Sequence, residues 1–262
     1  MSLENMEEGY NSAIMTEFKV VLFDLGSTLI YSKDPWPPIY KRADGALIEV
    51  LQQAGLPINS TSFSSELGTF LDSYYAARLD SVEKTTFTAL LQFLEQQGFP
   101  RTPDTILREA LEAMYSITQQ NWYIELDAIP ALQTLRQQGY RLGIVSNTSD
   151  DQNVQTLIDR WELRPFFESI VTSAACGIRK PDRRIFQIAL DHFKVSPEQI
   201  VMVGDTLTAD VLGANQIGMY SVWITRRVEI PEEGELTIQP QAVISGLGEI
   251  PGLLADIQAD SG

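Results

Sequence analysis

Lys19-Val20-Val21-Leu22-Phe23-Asp24 sets four consecutive apolar side chains directly before an acid. An unbroken apolar run of this length reads as a strand buried on both faces, as strands of a parallel sheet are. Related runs recur at 140–145 (YRLGIV), 169–172 (SIVT), 199–203 (QIVMV) and 220–224 (YSVWI), with a last one near 242–245. Helical stretches separate them at 128–138, 150–161, 182–193 and 209–217, and another follows Pro251. Such alternation, with right-handed crossovers, predicts a Rossmann-like α/β fold: a mostly parallel sheet flanked by helices.

Between the first and second runs the pattern changes. Four amphipathic helical segments are expected at 39–54, 63–79, 85–97 and 105–120. Gly55-Leu56-Pro57 and Gly98-Phe99-Pro100 separate some of them, since glycine and proline disfavour continuing a helix. The expected organisation is a mobile tail at 1–16, a core made of 17–37 and 124–262, and an all-helical, four-helix cap at 38–123. Cap closure is expected to hinge around 33–38 and 125–128.

A chain of 262 residues, 44% hydrophobic, can bury a substantial core. Its formal charge of −16 argues against nucleic-acid and anionic-membrane partners. An anionic substrate would then need cations concentrated at its site. Cys176 is the only cysteine, which excludes an internal disulfide and favours a cytoplasmic setting. The first residues lack a secretory pattern, and no apolar run is long enough to cross a bilayer. His192, the single histidine, cannot build a multi-histidine metal site and reads as a surface residue of its helix. Oligomeric state leaves no mark.

In an open parallel sheet, ligands sit beyond the carboxyl ends of the strands. The residues there are Asp24 to Thr28, Ser146-Asn147, the stretch around Arg179-Lys180-Pro181, and Gly204-Asp205-Thr206 with Asp210 further on. Carboxylates, a hydroxyl and an ammonium converging on one place suit phosphoryl transfer. Asp24 is placed to attack phosphorus, a hard cation such as Mg²⁺ suits the acids, and Ser146 and Lys180 suit phosphate oxygens.

These four elements, in this order and each after a strand, resemble the four motifs of the haloacid dehalogenase superfamily. The insertion point of the helical block is also where that family carries its cap. The resemblance implies Asp24 as nucleophile and Ser146 and Lys180 as catalytic and phosphate-binding groups. Asn147 and the residues after Asp24 would offer backbone N–H groups to phosphate. Asp24, the Gly26 carbonyl, Asp205 and Asp210 would form the Mg²⁺ site. The implied substrate is a small phosphorylated molecule.

One position departs from the pattern. Most phosphatases of this family carry a second aspartate where this chain has Gly26, and that aspartate serves as general acid and base. General acid catalysis contributes about 10²–10⁴-fold, so its absence should slow poor leaving groups most. A phosphatase acting on good leaving groups is one expectation. A dehalogenase- or phosphonatase-type hydrolase is another, although a Schiff-base lysine would have to come from Lys33 or Lys41. A ligand-binding or regulatory protein with little turnover is the third. Trp36, Tyr40, Arg42, Tyr74, Tyr75 and Arg78 could line a substrate pocket, or pack the cap helices together.

Overall fold

In the computed structural model, which describes residues 17–77, 81–228, 234 and 237–259, the opening run forms strand β1 (Val20–Phe23), buried throughout. Alternate side chains serve opposite faces: Val21 and Phe23 join one hydrophobic cluster, Val20 and Leu22 another. Two covered faces explain a strand with no polar member. The tail expected at 1–16 lies outside the described residues.

After β1 come β2 (Ile30–Ser32) and helices α1 (Trp36–Gln53), α2 (Ser60–Ala76), α3 (Thr86–Gln96) and α4 (Asp104–Thr118). Strand β3 (Trp122–Ile124) leads to α5 (Ala128–Gln137), β4 (Arg141–Ser146), α6 (Asp151–Arg160) and β5 (Ser169–Thr172). The single turn α7 (Ser173–Cys176), α8 (Arg183–Phe193), β6 (Ile200–Gly204) and a π-helical turn at Leu207–Val211 follow. The chain ends with α9 (Leu212–Ile217), β7 (Tyr220–Ile224), β8 (Ala242–Ile244) and α10 (Ile250–Ala259). Among the described residues no helix is long and apolar enough to cross a membrane.

Six strands form one parallel sheet in the order β5-β4-β1-β6-β7-β8. Helices α5, α6 and α10 pack on the face of Val21 and Phe23, and α8 and α9 on the other. From β1 the chain moves to β4 and β5, then returns to the far side of β1 for β6. Strand order therefore reverses at β1, the position where such sheets open a crevice. Phe23 pairs with both Ile144 and Val203, which puts Asp24, Val145 and Gly204 at one level. Ser146 and Asp205 stand one residue further on.

Helices α1 to α4 bury a core of their own, including Leu47, Leu51, Phe63, Leu67, Phe93 and Leu107. Phe63 and Phe93 meet edge to face, with ring centroids 5.0 Å apart. Helix α2 stops at Ala76, before the expected limit of 79, where Lys84 Nζ donates to the carbonyls of Tyr74 and Ala77. Arg78 and Leu79 lie outside the described residues.

Below these helices, β2 and β3 pair antiparallel as a two-stranded ribbon. A third attachment joins cap to core. Residues 81–83, between α2 and α3, pair with the loop before Lys180: Glu83 N–H donates to the Gly177 carbonyl at 3.0 Å, and Arg179 N–H to that of Ser81 at 2.8 Å. The buried Glu83 carboxylate accepts from Ser173 Oγ and Arg179 Nη1, both at 2.5 Å. Hinging only at the two chain crossings would break this strap, so the expected hinge is incomplete.

Candidate active site

Asp24 leaves β1 still tied to the sheet, its N–H donating to the Val203 carbonyl at 2.9 Å. The chain then turns sharply. Ser27 takes a left-handed conformation at φ 57°, and the N–H groups of Leu29 and Ile30 both donate to the Leu25 carbonyl. The turn brings Gly26 and Ser27 back to the same cleft as Asp24.

Lys180 arrives on the loop after α7. Asn147 holds its backbone twice: Lys180 N–H donates to Asn147 Oδ1 at 2.8 Å, and Asn147 Nδ2 donates to the Lys180 carbonyl at 3.1 Å. The Lys180 ammonium donates to Asp24 Oδ1 and Asp210 Oδ1, both at 2.6 Å, and to the Val145 carbonyl at 2.7 Å. All three of its N–H bonds are thereby used. Burial alone would lower its pKa; Asp210 and Asp24 more than reverse this and raise it.

Asp210 reaches Lys180 because Gly204 has no side chain. A Cβ on Gly204 would lie 2.2 Å from Asp210 Cγ. The π-helical turn holds Asp210 inward, where Thr206 N–H donates to its second oxygen at 3.0 Å. Asp205 is less enclosed, and its backbone is fixed by Trp223 Nε1, which donates to its carbonyl at 2.8 Å. Burial pushes the pKa of both acids up. For Asp205 the charges of Asp24 and Asp210 add to the rise; for Asp210, Lys180 opposes it.

Oxygens of Asp24, Asp205 and Asp210 all lie within 4.8 Å of one another. Three carboxylates against one ammonium leave two formal negative charges, which fits a hard divalent cation and repels a bare phosphate dianion. The cleft around them has a volume of about 690 Å³ and is also lined by Gly26, Ser146, Asn147 and Arg179. Asp24, Gly26, Ser146, Asn147, Lys180, Asp205 and Asp210 all line this cleft, whereas Trp36, Tyr40, Arg42, Tyr74 and Tyr75 are not among its lining residues and Arg78 lies outside the described residues. His192 is exposed on α8, away from it.

The model of the haloacid dehalogenase-like hydrolase family matches residues 18–218. The chain belongs to this family. A glyceraldehyde 3-phosphate phosphatase of Pyrococcus furiosus is 29% identical to this hydrolase over 95% of its chain and 96% of the relative's. A ribulose-1,5-bisphosphate 5-phosphatase of Halopiger xanaduensis is 28% identical, covering 90% and 98%. Among solved structures, a 2-haloacid dehalogenase from Pseudomonas syringae superposes with a TM-score of 0.66 at 26% identity, over 91% of this chain and 99% of that one.

Three features of this hydrolase's site escaped the motif reading. The Asn147 side chain holds Lys180, the Glu83 strap reaches the same loop from the cap, and Trp122 stands 3.6 Å from where a Cβ on Gly26 would be. Asn147 carried a signal, its place beside Ser146. Glu83 and Trp122 carried none, because their partners are far away in the chain.

Proposed function

We propose that this hydrolase is a Mg²⁺-dependent phosphatase of small phosphorylated molecules, with Asp24 as nucleophile. The observation that carries the reading is the Lys180-bridged carboxylate cluster at the reversal of strand order. An Asp24 oxygen bonds to phosphorus as the ester oxygen departs with its electron pair. Water then adds to phosphorus, the Asp24–phosphorus bond breaks, and phosphate leaves. Lys180 holds the Asp24 side chain in place while balancing Asp210 beside it. Ser146 and the backbone N–H of Asn147 are assigned to the phosphate oxygens, as are those of the turn after Asp24. When bound, a cation held by Asp24, Asp205, Asp210 and the Gly26 carbonyl supplies the positive charge a phosphate requires.

The relatives named as phosphatases support an ester substrate, and their different substrates leave this chain's own unassigned. The single cysteine fits a cytoplasmic enzyme. The likeness to a 2-haloacid dehalogenase favours carbon–halogen hydrolysis as a second reading. The test is a panel of acyl, aryl and sugar phosphates and 2-haloacids, with and without Mg²⁺, against Asp24→Asn. Metal-dependent phosphate release lost in the variant is expected. Halide release would move the assignment to the second reading; binding without turnover would make the protein a phosphate-ligand sensor.

A further inference from the structure

Gly26 has no side chain, and an aromatic wall stands over it. A Cβ there would touch Trp122 Cη2 at 3.6 Å and Cζ3 at 3.9 Å, ordinary van der Waals distances. The Cη2–Cζ3 edge of the Trp122 indole thus borders the space beside the nucleophile loop. Trp36 packs against it with centroids 5.5 Å apart, and Tyr40, one turn further along α1, stacks on Trp36 at 5.2 Å and an interplanar angle of 13°. Three rings run from beside Gly26 along the first cap helix to the surface, where Tyr40 is 52% exposed.

The innermost ring is firmly set. Trp122 pairs with Ser32 across the ribbon, and its carbonyl accepts from Trp161 Nε1 at 3.2 Å. The preceding residue is also held: Asn121 exchanges side-chain bonds with the Asp34 backbone at 2.8 and 2.9 Å. Such a ring is a preorganised surface. A fixed aromatic edge suits the face of a planar aromatic partner over a branched or heavily hydroxylated one.

We propose that Trp122 is the leaving-group platform of this site and selects aryl phosphates, the aromatic ring of the substrate packing on the indole beside Gly26. The inference rests on the phosphatase reading above. It also accounts for the residue at 26. Without an acid there, the leaving oxygen departs unprotonated, as an aryl oxide that keeps the electron pair of the broken P–O bond and takes a proton from solvent afterwards. An aryl oxide is a weak enough base to leave this way, and a sugar alkoxide is not.

The test compares phenyl phosphate with acetyl phosphate, neither of which needs a proton donor and only one of which has a ring. Trp122→Leu, which keeps apolar bulk without the aromatic ring, is expected to lower kcat/KM for phenyl phosphate by roughly three- to tenfold through KM. Acetyl phosphate turnover and inhibition by inorganic phosphate should stay within about twofold of wild type, and Trp122→Phe should restore most of the loss. Equal loss on both substrates, or none on phenyl phosphate, overturns the platform while leaving the phosphatase. Absence of Asp24-dependent turnover on every ester overturns both.

Discussion

At the scale of single residues, Asp210 depends on a missing atom at Gly204. Gly204→Ala should push Asp210 off Lys180, leave buried charges unpaired, and cost about 3–5 kcal/mol of stability. Denaturant titration checks the stability, and turnover should fall with it. The two acids also make a pH prediction. Asp205 is pushed up to about 7 by burial and by the charges of Asp24 and Asp210, well above its unfolded value. The folded protein therefore binds this proton more tightly than the unfolded chain does. That stability is fully present at acid pH and is lost as pH rises toward 7, the reverse of an ordinary salt-bridged aspartate. In metal-free protein, Asp205→Asn should flatten that part of the Tm–pH curve. Asp24, Ser146 and Asp205 were legible in the sequence because each follows closely on an apolar run, and register then brings them within one residue of a common level; Lys180 was legible from its motif on the loop that follows another such run. Asp210 was ambiguous, since a lone acid in a helix gives no sign that a glycine six residues earlier makes room for it.

At the scale of elements, the parallel strands were legible because burial on both faces leaves unbroken apolar runs. Strands β2 and β3 were not, at three residues each, too short for a period to show. The strap at 81–83 was hidden for another reason: Glu83 and Arg179 are 96 positions apart. Glu83 is fully buried, and Arg179 directly precedes Lys180, so the strap ties the cap to the site's one ammonium-bearing loop. Glu83→Ala should leave Arg179 and Ser173 without this acceptor and destabilise the protein by about 3 kcal/mol. Hydrogen exchange should quicken at 81–83 and 177–179 before it does in the cores on either side. Unchanged protection there would mean that backbone pairing alone holds the strap.

At the scale of the molecule, a helical body with its own core sits over a sheet whose open end carries three carboxylates. The whole chain carries a formal charge of −16. A phosphate ester approaches such a surface only if the site's negative charge is offset locally. Mg²⁺ should therefore raise Tm, by about 2.7 kcal/mol of added stability at a hundredfold excess over Kd, and a chelator should abolish the gain. The gain should shrink below neutral pH as protons compete for Asp205. The central claim is the bond between phosphorus and Asp24. Acid quenching during turnover of phenyl phosphate with Mg²⁺, followed by peptide mass analysis, reads it directly. The peptide containing Asp24 should carry one added phosphoryl group, and Asp24→Asn should carry none and release no phosphate. Undiminished phosphate release by Asp24→Asn, or a phosphoryl group trapped on another residue, would contradict it.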